Sequence, residues 1–382
     1  MTMATRVREA MSAHIDAGDL PGAAWEVSGP DEVVRDRAGT VEPGGGGEVE
    51  LDTVFRLSST TKPIVAALAM TLIDDGTLTL DTSVEELLPE LADRRVMSDP
   101  AGSLTDTVPA RRPITVQDVL EFRLGLGMDF TAPWPNPLIT AAAEAGLSMG
   151  PPAPQANPEP DEFMRRLGTL PLASQPGERW LYSTGASVLG VLIARAADRS
   201  LPELLAERIL EPIGMTDTGF GVPTGALARL GPLWMPPQDG EPAQQYDPAD
   251  GQWARSPAFP DAADGLVSTV GDVALFAAML KAGGVTGDRR ILSADAVRTM
   301  TTARVGPIDP VGGGWGLGIG VREQDEPGGR HAGSYGWDGG LGSSWWTDPV
   351  SGVTAILLTN QMWTSPEPPP VFTDFWAAAF GG

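Results

Sequence analysis

Cysteine is absent from this 382-residue chain, and histidine occurs only at His14 and His331. Those gaps exclude a disulfide framework, a thiol nucleophile, a thiolate metal site and a histidine-rich zinc cage. No cofactor or metal is expected. Positive charge is also scarce: 26 basic residues stand against 50 acidic ones, a net charge of −24. Nucleic acid and anionic membrane surfaces both need basic patches, so neither is an expected partner. No apolar run approaches a bilayer span, and Met1-Thr2-Met3-Ala4-Thr5-Arg6 is not followed by the apolar stretch and cleavage site of a signal peptide. The expectation is a soluble, cytoplasmic protein whose partner is a small molecule. Its oligomeric state is open.

The scarcest cation is the most informative residue. Only two lysines occur, against 24 arginines. One, Lys62, closes the run Ser59-Thr60-Thr61-Lys62. Arginine stays protonated in proteins, whereas a partly buried lysine can release its proton and act as a base. A neutral amine beside a serine hydroxyl is one way to make that hydroxyl a nucleophile. The other, Lys281 in Met279-Leu280-Lys281-Ala282-Gly283-Gly284, reads as a charged helix end before a glycine stop.

Hydrophobic spacing predicts a helix over residues 5–18, then strands at 22–28 and 32–37 joined by Gly29-Pro30-Asp31. Gly44-Gly45-Gly46-Gly47 lacks the following Lys-Ser/Thr of a phosphate loop and reads as a flexible connection. Helices are expected at 60–72, 115–122, 186–197, 201–210, 270–280 and 371–380, with strands at 315–321, 343–347 and 353–359. Proline and glycine accumulate over 125–176 and 232–260, as in lids and binding loops. This order predicts an α/β fold: an antiparallel sheet built from both chain ends and flanked by helices, with a mainly helical lobe inserted. The expected division is residues 1–84 with 265–382 as the α/β lobe and 85–264 as the helical lobe.

A helix opening near Ser59 places Ser59 and Lys62 on one face, and Pro63 suits a first turn. The Ser59 N–H then has no partner inside the helix and is free to face an oxyanion. A rival nucleophile lies in Gly146-Leu147-Ser148-Met149-Gly150, which fits the Gly-x-Ser-x-Gly pattern. That pattern works as a strand-to-helix turn, whereas here it follows a helical alanine run and precedes two prolines. A Ser-His-Asp triad has only His331 to draw on.

The stretch from Phe55 to Pro63, including Ser59-Thr60-Thr61-Lys62, resembles the nucleophile motif of the serine β-lactamase and penicillin-binding-protein superfamily. The resemblance is to its class C-like branch and to the family VIII carboxylesterases. It continues through Gln175-Pro176-Gly177-Glu178-Arg179-Trp180-Leu181-Tyr182-Ser183, Gly265-Leu266-Val267-Ser268-Thr269 and Trp345-Trp346-Thr347-Asp348-Pro349. It implies an acyl-enzyme serine hydrolase, with Ser59 as nucleophile and Lys62 and Tyr182 moving its proton. Tyr182-Ser183-Thr184 departs from the family's Tyr-x-Asn by carrying Thr, which fits the esterase branch better than a lactamase. Two segments compete for the third motif, His331-Ala332-Gly333 and Trp337-Asp338-Gly339. The resemblance favours the second, with the Gly340 N–H as second oxyanion donor and His331 behind the site. Trp134, Trp234, Trp315, Tyr335 and Trp363 are expected to line the pocket with Trp337, Asp338 and Gly339. Ester hydrolysis is the leading expectation. Acyl transfer in small-molecule biosynthesis, amide or β-lactam hydrolysis, and a non-catalytic binding protein on this fold are the alternatives.

Overall fold

The computed structural model describes residues 2–132, 136–147, 150–238, 240–309 and 313–381. The first helix, α1 (Met3–Ala17), buries Val7 and Met11. Thr2 caps it by accepting the Thr5 N–H, and Gly18 ends it in the left-handed region. Strands β1 (Gly22–Ser28), β2 (Val33–Glu42) and β3 (Gly45–Glu48) follow. The later part of the chain supplies β4 (Gly313–Trp315), β5 (Gly320–Arg322), β6 (Tyr335–Gly339), β7 (Ser343–Asp348) and β8 (Val353–Thr359). Together they form one antiparallel sheet in the order β4-β5-β6-β7-β8-β1-β2-β3. The first strand therefore lies against the last, with Ala23 opposite Thr359 and Ser28 opposite Thr354. This is the expected sheet assembled from both chain ends.

Two local expectations change. The glycine run is a hairpin, with Gly45 paired to Glu42, because the glycines turn the chain at no steric cost. Residues 315–321 are also a hairpin and not one strand. Trp315 pairs with Gly320 across a turn that Gly318 enters with a positive φ.

Helices cover both sheet faces. On one, α1 and α5 (Pro370–Phe380) pack Val7, Met11 and Phe375 against Trp25 and Leu357. On the other, α2 (Thr61–Asp74) and α4 (Val270–Lys281) meet Ile356, Leu358 and Trp345. Strand β8 is buried throughout, so its sequence runs apolar without alternation. Every residue of α2 from Thr61 to Leu72 is buried. A helix apolar on all sides belongs inside the protein, and α3 (Thr184–Ala197) closes its remaining side. Among the described residues no helix is long and apolar enough to cross a membrane.

The chain enters α2 through Phe55 and Arg56, which pair with Ser268 and Val267. Arg56 is anchored as it passes. Its guanidinium donates to Asp247 through Nε at 2.9 Å and Nη2 at 2.5 Å, and to the Gly231 carbonyl at 2.7 Å. Both partners of this ion pair are buried, each side chain only 2% exposed. Removing one partner of such a pair strands the other charge, at about 3–5 kcal/mol. Asp247→Ala is therefore expected to lower the free energy of unfolding in urea by about that amount. Arg56→Met combined with Asp247→Leu should recover most of the loss. Equal loss in the single and double variants would show that the charge pair is not what holds this segment.

Candidate active site

From Thr53 to Leu72 every residue is buried except Ser59, which is half-buried. The backbone turns sharply to present it: Ser58 adopts φ 45, in the left-handed region. Such a conformation costs on the order of 1–3 kcal/mol for a non-glycine residue and persists only where neighbours enforce it. They do so here. The Leu57 N–H donates to the Leu266 carbonyl at 2.8 Å, and Thr61 Oγ1 accepts the Leu266 N–H at 3.1 Å. Ser343 Oγ donates to the Leu57 carbonyl at 2.6 Å and bonds Thr60 Oγ1 at 2.7 Å. The first internal bonds of this helical start come from the N–H groups of Thr60 and Thr61. The Ser59 N–H precedes them and has no acceptor within this helical start.

Lys62 is buried, 1% exposed. Its Nζ donates to Ser59 Oγ at 2.8 Å and to the Ala263 carbonyl at 2.7 Å. On its third side Nζ sits 4.7 Å from the centroid of the Tyr182 ring. The Tyr182 hydroxyl instead accepts the Trp337 Nε1–H at 2.9 Å. Tyr182 is pinned by reciprocal backbone bonds with Met128, at 2.8 and 2.9 Å, and Ser183 after it takes φ 78 before α3 begins. Ser59 and Tyr182 thus each adjoin a non-glycine residue in the left-handed region. An amine 2.8 Å from a serine hydroxyl is placed to take its proton. A hydroxyl that accepts one bond from an indole N–H keeps its own proton to donate.

Strand β6 forms the opposite wall, and its alternation sorts the expected residues. Trp337 and Gly339 face Ser59. A Cβ on Gly339 would stand 2.2 Å from the Leu57 carbonyl oxygen, 2.3 Å from Ser343 Oγ and 3.2 Å from Ser59 N. Only glycine lets strand and helix approach so closely. The Gly339 carbonyl accepts the Gly342 N–H at 2.9 Å, inside the turn. In a trans peptide the N–H points the opposite way, so the Gly340 N–H is directed out of that turn. Asp338 projects to the other face, where it accepts from Ser344 Oγ at 2.6 Å and Trp346 Nε1 at 2.9 Å. It does not line the cleft, and burial pushes its carboxyl up to about 6.

Several expected pocket residues lie elsewhere. His331 is at the far end of β6 and bonds Asp348 through Nδ1 at 2.6 Å, so Trp337-Asp338-Gly339 is the segment beside Ser59. The pair holds a surface turn and raises the His331 pKa, chiefly through that bond. Tyr335 is a core residue against Trp345, 6.2 Å between centroids. Trp315 is fully buried and backs the site, 4.7 Å from Trp337 and 4.6 Å from Phe122. Trp234 donates to the Val41 carbonyl at 3.2 Å, away from the lysine. Trp363 contributes its backbone, its N–H meeting the Gly340 carbonyl at 2.8 Å while its ring packs on Phe372. Trp134 and the rival Ser148 lie outside the described residues.

Sequence reasoning missed Phe130 and Trp180, whose rings stand 5.3 and 5.5 Å from Tyr182. Phe130 is 54% exposed at the rim of the cleft. It also missed Ala263 and Asp264. Burial and the neighbouring Asp261 push the Asp264 carboxyl up to about 8, although Lys62 opposes the shift.

The Beta-lactamase family model matches residues 7–373. The chain belongs to that family. It is a serine hydrolase of the β-lactamase/transpeptidase fold. Protein Rv1367c of Mycobacterium tuberculosis (strain ATCC 25618 / H37Rv) is 34% identical over 364 residues, covering 91% of this chain and 87% of that protein. Esterase EstB of Burkholderia gladioli is 30% identical over 371 residues, covering 89% and 86%. The solved structure of EstCE1, a hydrolase with promiscuous acyltransferase activity, superposes with a TM-score of 0.82 at 24% identity, covering 99% of this chain and 98% of that one.

Gly339 and Gly340 provide a direct test of the close approach. Gly339→Ala is expected to lower the melting temperature, because the new methyl displaces a carbonyl and a buried hydroxyl, at roughly 1–3 kcal/mol. Nothing lies within 4 Å of a Cβ at Gly340, so Gly340→Ala should melt close to the parent protein. Equal melting of the two variants would contradict the close approach at Gly339.

Proposed function

We propose that the protein hydrolyses carboxylic esters through an acyl-enzyme on Ser59. The observation that carries this reading is the hydrogen bond from a buried Lys62 to the half-buried Ser59, 2.8 Å long. Lys62, in its neutral amine form, takes the hydroxyl proton as Oγ attacks the ester carbonyl. The negative charge that develops on the carbonyl oxygen meets the N–H groups of Ser59 and Gly340, which pre-oriented dipoles stabilise more cheaply than water would. As the carbon–oxygen bond to the alcohol breaks, the Tyr182 hydroxyl delivers the leaving group's proton and recovers one from Lys62. Water then attacks the acyl-enzyme along the reverse route and releases the acid. This sequence needs the Tyr182 hydroxyl to leave Trp337 and tilt toward the reacting oxygen. Catalytic hydrogen bonds commonly tighten only once substrate is bound.

The similarity to EstB supports ester substrates, and the Phe130, Trp180 and Trp337 rings give the cleft apolar walls suited to aryl or acyl groups. Thr184 stands where the lactamase motif carries Asn, so it offers a hydroxyl in place of an amide that both donates and accepts. Cephalosporins should accordingly be turned over poorly beside short-chain aryl esters. The likeness to EstCE1 favours acyl transfer as the second reading. An added alcohol acceptor that diverts product from acid to new ester would decide for it.

Lys62→Arg should abolish ester turnover although the charge is kept, since a guanidinium does not act as a base. Activity within a few-fold of the parent would contradict the base role. Tyr182→Phe should fold normally and lose roughly 10²–10⁴ in kcat, the scale of a general acid–base group. Near-parent kinetics would return Tyr182 to a packing role.

A further inference from the structure

Beside the lysine lies a cavity of about 40 Å³ bordered by Met128, Phe163, Thr184, Ser187, Asp261 and Asp264. A water molecule needs roughly 10–15 Å³ on this measure, so the space takes a head group of two or three heavy atoms. Its two carboxylates differ. Asp261 is buried and engaged, Oδ1 accepting the Ser187 hydroxyl at 2.7 Å and the Ala263 N–H at 2.9 Å. The Asp264 carboxylate borders the cavity and takes neither a hydrogen bond nor an ion pair from any described residue. The charged groups that act on it are Asp261, on its own turn, and Lys62, from α2, while its charge is felt in turn by Tyr246. Two carboxyl groups therefore face one lysine, and Asp264 is the one of the two that no described side chain answers.

We propose that this cavity is a subsite for a protonated primary amine on the acyl part of the substrate, with Asp264 as its counter-ion. The inference rests on the acyl-enzyme reading and adds a substrate class to it. Proximity supports it: Asp264 follows Ala263, whose carbonyl is 2.7 Å from Lys62 Nζ, itself 2.8 Å from Ser59 Oγ. Ser183 and Thr184, next along the chain from Tyr182, border the same cavity together with Ala263. Met128, Phe163 and Leu167 supply apolar wall for the substrate's acyl chain, and Thr184 and Ser187 supply hydroxyls at its end. A substrate ammonium would give Asp264 the counter-ion it lacks and favour its ionised form. The net charge of −24 also favours the approach of cations.

The pH dependence follows with a definite sign. In the free enzyme Asp264 is protonated below about 8, because burial and Asp261 disfavour its charge. Binding an ammonium requires the ionised form, so preference for amine substrates rises as pH is brought up towards about 8. It falls again where the substrate amine loses its proton.

Three phenyl esters of equal chain length test the subsite: those of β-alanine, 3-hydroxypropionic acid and butyric acid, ending in ammonium, hydroxyl and methyl. The parent enzyme is expected to prefer the ammonium ester over the methyl ester in kcat/KM by on the order of ten- to a hundred-fold, the worth of a charge-assisted hydrogen bond. Asp264→Asn, nearly the same shape, should lose both that preference and its rise with pH. Competitive inhibition of butyrate ester hydrolysis by n-propylammonium should be present in the parent and absent in the variant, a readout independent of amine-ester turnover. A preference for hydroxyl over ammonium, or the same selectivity in parent and variant, would overturn the proposal while leaving ester hydrolysis intact. Failure of the parent to cleave any of the three esters would instead overturn the acyl-enzyme reading, and this inference with it.

Discussion

Around Lys62 the fold resolves a single difficulty, a lysine head group sealed from water. An ammonium taken out of water costs several kcal/mol unless its donors are met and its charge is answered. Here the answers come from three parts of the chain. Ser59 Oγ comes from the turn of the same helix, the Ala263 carbonyl from a segment two hundred residues later, and the Tyr182 ring from the start of α3. The Asp261 and Asp264 carboxyl groups lie near enough for Lys62 to oppose the upward push that burial gives them. None of these partners can move far without exposing or stranding the charge. The lysine thus couples the segments that carry Tyr182 and Ala263 to the helix turn that carries Ser59.

The second constraint is steric, and it sits opposite the first. The wall facing Ser59 is a β-strand whose neighbour is the helix turn itself, and Gly339 is the residue that allows the contact. Strained backbone at Ser58 and Ser183 is stored beside it, held by Leu266, Ser343 and Met128 through the hydrogen bonds around them. A rigid scaffold carrying a few strained positions is what pre-organised chemistry requires, since donors fixed in place need not reorganise as charge develops.

Much of this was legible in the chain. The i, i+3 spacing of Ser59 and Lys62, with Pro63 behind them, is a local helical signal and survived into three dimensions. So did the strands at either end, β8 through the apolar run Ala355-Ile356-Leu357-Leu358 and β1 through the turn residues Gly29-Pro30-Asp31 that bound it. The register of the third motif was not legible. His331-Ala332-Gly333 and Trp337-Asp338-Gly339 are equally glycine-bearing, and only long-range strand pairing decides which one meets Ser59. Asp338 was misplaced although the period of two was available: if Trp337 and Gly339 face the cleft, Asp338 must face away. Tyr335, Trp315, Trp234 and Trp363 were read as pocket walls from their loop-like surroundings, but the rings of Tyr335, Trp315 and Trp363 pack into or against the core and the Trp234 indole is turned to the Val41 carbonyl. Phe130 and Asp264 stand in irregular backbone with no periodicity to flag them, so their place could come only from the folded chain.

The central claim is that Ser59 is the acylated residue and that two backbone N–H groups hold the oxygen opposite it. Treatment with an aryl phosphonate, followed by peptide mapping and a crystal structure of the adduct, addresses both parts at once. The account predicts one covalent modification, on Ser59, with a phosphoryl oxygen within hydrogen-bond reach of the N–H groups of Ser59 and Gly340. A phosphonate on Ser148, or a Ser59 adduct whose oxygen points away from Gly340, would contradict it.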